Sequence, residues 1–555
     1  MLTGYILLSC TTNIKMADKL DKYIDSYSKE WYQAFLLLLM AGTPGIFNAI
    51  QISSYVFLVD KPSYWCDIPV LKAAGWSDQM LLNVSISPQN YSSDRIEECS
   101  YYDRNYSIFA KNGYNWSINN LETANSKPCQ YYEYSNRESV VSEWNLVCDN
   151  VVKKSNIQAA IAFGKFVGGL FFGSISDIYG RKFAFNLAAF IYMFSGPSAA
   201  LIDSYVLFLI ARFLIGVAGS GIYESSYTIL TELTSGKTRT LLCLLMNMSY
   251  PIGYVLLSII AYYVRPWRIL LLVLSLPMFG LLIQCWFLPE SPKWLMSRGR
   301  KRQAWKVMTK LVPSAIHANI DNDNQDIIEI RKSKQSQGKC KEFLSTFTTL
   351  FSTWDLSAKT IISFSCGFVC GLSYYVIALN GDNITADRYN YVALNGVVEG
   401  LAYLSTIPLL LYVGRKIAVS GLFFTSGILQ LALLMIPRES ANLLLIVALL
   451  GKFCVSAVFS VSLLYISELY PTTIRNTGLG TSLTISQIGS VIAPYVVELL
   501  GAKAWYIPST VCGILGIFVS SLVLMLPETK GTVLPDTLED MKTTRSVKVT
   551  NCCKF

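Results

Sequence analysis

Gly180-Arg181-Lys182, set between two apolar runs, returns 234 residues later as Gly414-Arg415-Lys416. Two further motifs keep nearly the same interval. Glu232, followed seven residues on by Arg239, is answered by Glu468 and Arg475 at an offset of 236, and Pro289-Glu290-Ser291 by Pro527-Glu528-Thr529 at an offset of 238. Each motif alone is weak evidence. Three at a nearly constant interval, each at the same end of an equivalent apolar segment, point to a duplicated unit.

Apolar runs about 20 residues long, enough to cross a bilayer, give the size of that unit. They fall at 31–59, 155–175, 183–202, 205–231, 240–264 and 267–288, then at 359–380, 391–412, 417–436, 442–466, 478–499 and 504–526. The expected fold is therefore an all-α membrane protein of twelve transmembrane helices in two six-helix bundles. Parallel repeats of this kind describe the major facilitator fold, whose halves rock about a site near the bilayer midplane. The domain reading is a cytosolic N-terminal tail (1–30), an N-terminal bundle (31–288) containing an extracellular loop (60–154), a cytosolic loop (289–358), a C-terminal bundle (359–526) and a cytosolic C-terminal tail (527–555).

With 52% of its 555 residues apolar and 15% charged, the chain is not a soluble one. A lone histidine, His317, excludes histidine-rich metal sites and enzymes built on several histidines. The formal charge of +9 sits at alternate junctions between apolar runs, the positive-inside pattern, and calls for no nucleic-acid partner. There is no Walker-type phosphate loop, which argues against an ATP-driven pump, and no cofactor or metal site is expected. Met1–Cys10 lacks the basic flank and length of a secretory signal, and Met16 is an alternative start.

Two inserts set the sidedness. The first carries Cys66, Cys99, Cys129 and Cys148, together with glycosylation triplets at Asn83, Asn90, Asn105 and Asn115. Both marks are extracellular, and four cysteines there are expected to make two disulfides with three pairings open, the alternative being free thiols. Asn247 also heads a triplet, but it lies inside a span and should stay unmodified. The second insert, Pro289–Leu356, holds Arg298, Arg300, Lys301, Arg302, Lys306 and Lys310, and so belongs in the cytosol. Five spans separate the inserts, as opposite sides require. The tail from Gly531 to Val549 is polar. Cys552-Cys553-Lys554-Phe555 departs from a prenylation signal in its penultimate lysine.

Several stretches resemble the organic cation, anion and carnitine transporters, solute carrier family 22 of the major facilitator superfamily. They are the cysteine-bearing loop, Ser142-Glu143-Trp144-Asn145-Leu146-Val147-Cys148, Gly173 to Lys182, Pro289-Glu290-Ser291-Pro292-Lys293-Trp294-Leu295, Glu468-Leu469-Tyr470-Pro471-Thr472 through Arg475, and Leu526-Pro527-Glu528-Thr529-Lys530-Gly531. The resemblance covers nearly the whole chain. Sugar porters share the proline-glutamate-serine-proline piece but lack the long loop. The resemblance implies alternating-access transport of a small organic ion at the plasma membrane, with or without a coupled ion. The repeated junctions then read as gating groups. Asp177, Arg181, Glu232 and Arg239, with Arg415, Glu468 and Arg475, form ion pairs and helix caps where the halves meet on the cytosolic side, or serve only as positive-inside anchors.

An ionisable residue within a span costs about 2.5–3.5 kcal/mol to insert, so each needs a partner or a role. Glu224, Glu399, Lys452 and Arg212 are picked out on this ground. The resemblance places Glu399 and Lys452 on the cavity wall; the plain alternative is a buried pair that fixes packing. Asn48, Tyr227, Asn247, Tyr374 and Gln487 complete the candidate substrate site, since aromatic faces attract organic cations by about 0.5–2 kcal/mol. Asn48 stands eighteen residues before Cys66, as in similar carnitine and anion carriers. At the position of Gln487 the family's cation carriers tend to have an acid, and its anion and carnitine carriers Arg; here it is neutral. The decision passes to Glu224, Glu399 and Lys452, which sum to −1 and favour a cation or a zwitterion such as carnitine over an anion or a sugar. A receptor built on the glycosylated loop has no need of the latch and cavity residues, and a channel would need a continuous polar stripe.

Overall fold

The computed structural model describes residues 23–25, 30–60, 62–85, 99–121, 124–135, 139–311, 348–384, 387–437, 439–471 and 474–530. The N-terminal start signals, Asn90, His317 and the tail beyond Lys530 lie outside them. Eleven helices are long and apolar enough to span a membrane: α1 (Trp31–Leu58), α2 (Cys148–Tyr179), α3 (Arg181–Leu201), α4 (Tyr205–Glu232), α5 (Thr238–Tyr263), α6 (Trp267–Phe287), α7 (Trp354–Leu379), α8 (Arg388–Tyr412), α9 (Arg415–Met435), α10 (Ala441–Leu469) and α11 (Thr477–Leu500). The twelfth apolar run forms a shorter helix, α12 (Ile507–Val523), packed against α9 and α7. Small residues let helices meet backbone to backbone. A Cβ on Gly164 or Gly168 of α2 would lie 2.2 or 2.3 Å from a carbonyl oxygen of α4, and one on Gly371 of α7 would lie 2.2 Å from the Ser486 carbonyl of α11.

The sequence repeat is also a repeat of hydrogen bonds. In the first half Glu290 accepts from the backbone N–H of Arg181 at 2.8 Å and of Lys182 at 3.2 Å, capping the free donors at the start of α3. Arg181 in turn donates to the Ser176 carbonyl at 2.8 Å and pairs with Glu232 at 3.0 Å. The second half does the same at the start of α9. Glu528 takes the N–H of Arg415 at 2.8 Å and of Lys416 at 3.2 Å, while Arg415 reaches the Leu410 carbonyl at 3.2 Å and lies 3.4 Å from Glu468. Arg239 and Arg475 cap equivalent carbonyls, those of Thr234 and Tyr470. Burial works against ionisation of Glu528, yet its four backbone N–H donors hold the carboxyl below its ordinary value, so the cap is complete at neutral pH and loosens as pH falls through that lowered value.

Of the candidate gating groups, Arg181 and Arg415 thus each pair with a carboxylate inside their own half, while Arg239 and Arg475 cap carbonyls separately. Asp177, which pairs with Arg181 at 3.1 Å, has no counterpart in the second half, where Leu411 stands in its place. Glu232 pairs with Arg181 and not with Arg239.

Between the halves, contacts concentrate at the end carrying the 60–154 loop, here called the loop end. Lys154 of α2 meets Glu498 of α11 at 2.7 Å, Asn156 accepts from Tyr495 at 2.7 Å, and Ser258 of α5 donates to the Tyr389 carbonyl of α8 at 2.6 Å. Deeper, Lys165 donates to Tyr375 at 3.3 Å, and the hydroxyls of Tyr254 and Tyr374 are 3.5 Å apart. These polar contacts between the halves run from the loop end to mid-depth; the arginine junctions lie at the opposite end. The halves are therefore joined at the loop end.

The loop itself is held by two short antiparallel ribbons, Tyr64–Cys66 with Tyr132–Tyr134 and Ser100–Tyr102 with Ser126–Pro128. Of the three pairings open to the sequence, the structure has Cys66–Cys129 and Cys99–Cys148. Asn83, Asn105 and Asn115 are exposed.

Gly180 has φ +111°, and a Cβ there would lie 2.4 Å from the Glu290 carboxylate; Gly414 has an ordinary φ of −65° but the same crowding, 2.3 Å from Glu528. Gly180→Ala should therefore destabilise the folded protein by about 1–3 kcal/mol, and Gly414→Ala by less. Thermal unfolding of the purified variants in detergent checks the order.

Candidate functional site between the halves

At mid-depth the helices bring a group of tyrosines around two lysines and two glutamates. In the second half Glu399 of α8 and Lys452 of α10 are both fully buried and lie 3.2 Å apart. Glu399 accepts from the Tyr374 hydroxyl at 2.8 and 2.9 Å and from Tyr403, one turn along α8, at 2.9 Å. The Lys452 ammonium sits 3.2 Å from the centre of the Tyr374 ring, with the Tyr254 ring 5.8 Å away. Here the bilayer's demand is met from within: the carboxylate has an ammonium and two hydroxyls, the ammonium a carboxylate and an aromatic face.

The first half contributes the opposite wall. Lys165 of α2 donates to Tyr375 and lies 6.0 Å from the ring centres of both Tyr250 and Tyr375. Asn48 of α1, buried, donates to the Tyr250 hydroxyl at 2.8 Å. Tyr223 of α4 donates to Asn247 at 3.3 Å and meets Tyr250 edge to face at 5.5 Å. Glu224, next along α4, lies against Gly169 of α2, one turn from Lys165 and within its electrostatic reach. Its side chain is solvent-exposed.

Of the residues picked out from the sequence, Asn48, Glu224, Asn247, Tyr374, Glu399 and Lys452 share this region. Tyr227, one turn from Tyr223, is 38% exposed. Gln487 is half-buried with its amide oxygen unpartnered, and no hydrogen bond among the described residues ties it to the Glu399–Lys452 group. Arg212 is fully buried elsewhere in the first half, where Ser54 accepts from it at 3.2 Å.

Sequence reasoning passed over Lys165. Its signal was the one used for the other charges, a lone ionisable residue inside an apolar run. Adding it changes the charge count of the site: Glu224, Glu399, Lys452 and Lys165 sum to 0, not −1. Tyr223, Tyr250, Tyr254, Tyr375 and Tyr403 were also missed, since tyrosines scattered over four helices have no pattern along the chain.

Two six-helix bundles with a polar, aromatic cluster at mid-depth fit a multi-pass membrane transporter of the major facilitator type. The profile of the "Sugar (and other) transporter" family matches residues 104–541. The "Organic cation transporter protein" of Drosophila melanogaster is 30% identical, over 93% of this chain and 92% of its own. "Organic anion transporter 3" of Oryctolagus cuniculus is 30% identical, over 92% and 91%, and "Organic cation/carnitine transporter 2" of Homo sapiens 29%, over 95% and 94%. The inward-open xylose transporter XylE from E. coli has the same fold, with a TM-score of 0.57 over 92% of this chain and 99% of its own at 17% identity. The chain belongs to the sugar (and other) transporter family and, within it, to the organic cation, anion and carnitine transporters of solute carrier family 22. It is a transporter of organic ions and not an enzyme.

Removing one partner of a buried pair leaves the other uncompensated, at about 3–5 kcal/mol, whereas removing both is far milder. Lys452→Met and Glu399→Gln should each lower thermal stability sharply, and the double variant should recover most of it. Double-mutant thermal unfolding of the purified protein measures that coupling.

Proposed function

We propose that the protein carries an organic zwitterion, a small solute bearing both an ammonium and a carboxylate, across the plasma membrane by alternating access. The observation that carries this reading is the balance of the chamber: one lysine and one glutamate from each half, set among tyrosines. A quaternary or primary ammonium fits the tyrosine faces and Glu224, and a carboxylate fits Lys165. A site of zero net charge gives a simple cation or a simple anion no long-range advantage. Carnitine is one such zwitterion. Two relatives bear on the class: the human organic cation/carnitine transporter, and a "Beta-alanine transporter" of Drosophila melanogaster that is 31% identical over 93% of this chain.

In the proposed cycle the loop end is extracellular and the arginine junctions cytosolic, so the state described is the inward-facing one. Solute enters when the loop-end contacts part, and it leaves past Glu224 and Tyr227 once they have closed again. The networks around Arg181 and Arg415 stiffen the cytosolic ends of the two halves, and Asp177, 65% exposed, is left available to the other half when that side closes. With the loop outside, Asn83, Asn105 and Asn115 are glycan acceptors, and a peptide N-glycosidase should speed the migration of the protein from intact cells.

The test is uptake of radiolabelled carnitine, β-alanine, a quaternary ammonium cation and an aromatic carboxylate, each with and without sodium. Zwitterion uptake should exceed both singly charged probes. Glu224→Gln leaves the site at +1, and should lower uptake of the cation about tenfold relative to the carboxylate. A wild type that carries only the cation or only the carboxylate overturns the reading.

A further inference from the structure

We propose that a cavity at the loop-end mouth is a second ligand site, which takes an organic carboxylate with an apolar body and holds the two halves shut at that end. The cavity, about 150 Å³, is built by both halves: Phe57 and Asp60 at the end of α1, Val264 and Arg265 between α5 and α6, and Arg388 with Tyr389 at the start of α8. It is separate from the tyrosine chamber, which lies deeper, beyond the contact between Ser258 and Tyr389.

The charges on its wall select the ligand. Arg388 and Asp60 face each other across the halves at 2.5 Å and neutralise one another. Arg265 is exposed, and among the described residues it has no acidic partner, so one positive charge is left over. The remaining wall is mixed: Ser139 adds a hydroxyl beside Val264 and Leu270, and Phe57 is stacked on Tyr389 at 5.3 Å between ring centres and 24° between planes. A carboxylate therefore meets the free guanidinium, while its hydrocarbon or aromatic part lies against Phe57, Val264 and Tyr389. A simple cation is repelled.

Position gives the consequence. Arg388 and Tyr389 move with the second half, the other walls with the first, so this cavity exists only while the loop end is closed. A ligand that binds one state and not the other shifts the population toward the state it binds. Bound here, a carboxylate delays reopening toward the loop side without occupying the transport chamber. It should act from that side as an inhibitor that lowers the maximal rate of uptake and leaves KM unchanged. This rests on the alternating-access reading but not on the identity of the carried solute.

Benzoate is the probe. Two measurements are made on the full-length wild type, Arg265→Gln and Arg265→Lys: zwitterion uptake in cells with external benzoate, and thermal unfolding of purified protein with benzoate added. In the wild type the maximal rate should fall and the melting temperature rise. In Arg265→Gln the benzoate concentration needed for either effect should increase about tenfold, the loss of one charge-assisted contact, and Arg265→Lys should retain part of the response. Benzoate stabilisation that depends on Arg265 in a protein that carries no zwitterion would sink the substrate proposal and leave this site standing. Purely competitive inhibition, or equal responses in wild type and Arg265→Gln, would overturn the site.

Discussion

An ionised side chain in the middle of a bilayer has no water to solvate it, and the arrangement of this protein follows from how each such charge is answered. Glu399 and Lys452 answer each other, and because they come from α8 and α10 they tie the second bundle together at its centre. The two tyrosine hydroxyls on Glu399 and the Tyr374 face under Lys452 complete their shells, which leaves that half of the chamber electrically silent while it stays closed. Lys165 and Glu224 have looser shells. They belong to adjoining helices of the first bundle, and Lys165 spends a hydrogen bond on Tyr375 of the other half. The two halves thus differ in kind: one holds its charges locked within itself, and the other shares a hydrogen bond with its partner half.

The same reasoning explains the ends of the helices. Each bundle must begin a helix, α3 or α9, directly after a span ends, and the first N–H groups of that helix need acceptors. Glu290 and Glu528 supply carboxylates from the segments that follow α6 and α12, so the last helix of each half is stitched to its third. Gly180 and Gly414 are the positions where the carboxylate approaches too closely for a side chain. Arg181 and Arg415 then satisfy carbonyls at the end of the preceding helix. What reads along the chain as three separate motifs is in space a single knot, made twice.

That is why so much of the fold could be read from sequence. Apolar length sets the spans, and most helix ends fall within about five residues of the runs; α2 starts seven residues before its run, at Cys148, while α12 begins and ends three residues inside its own. The repeat could be read because its motifs are contiguous and bind backbone near at hand. The chamber could be read only in part. Glu399, Lys452 and Glu224 announce themselves by charge in apolar surroundings, as Lys165 should have done. Tyr250 and Tyr254 of α5, Tyr375 of α7 and Tyr403 of α8 come together only through helix packing, and a tyrosine in a membrane helix looks the same in sequence whether it lines a cavity or faces lipid. The disulfide pairing was likewise hidden, since it depends on which ribbon strands align.

The state of the molecule was the least legible feature, because it resides in neither half alone. Lys154 and Glu498, both largely buried, are separated by most of the chain and have no motif around them, yet their contact is part of what shuts the loop end. A buried ion pair across a moving interface differs from one inside a bundle. Both charges must regain solvent when the interface opens, so the desolvation that makes the pair weak as a source of net stability is recovered on opening, and the barrier to opening stays modest. The Glu399–Lys452 pair, within one half, never has that exit. One pair thus lies on the seam between the halves and the other in the body of the second bundle.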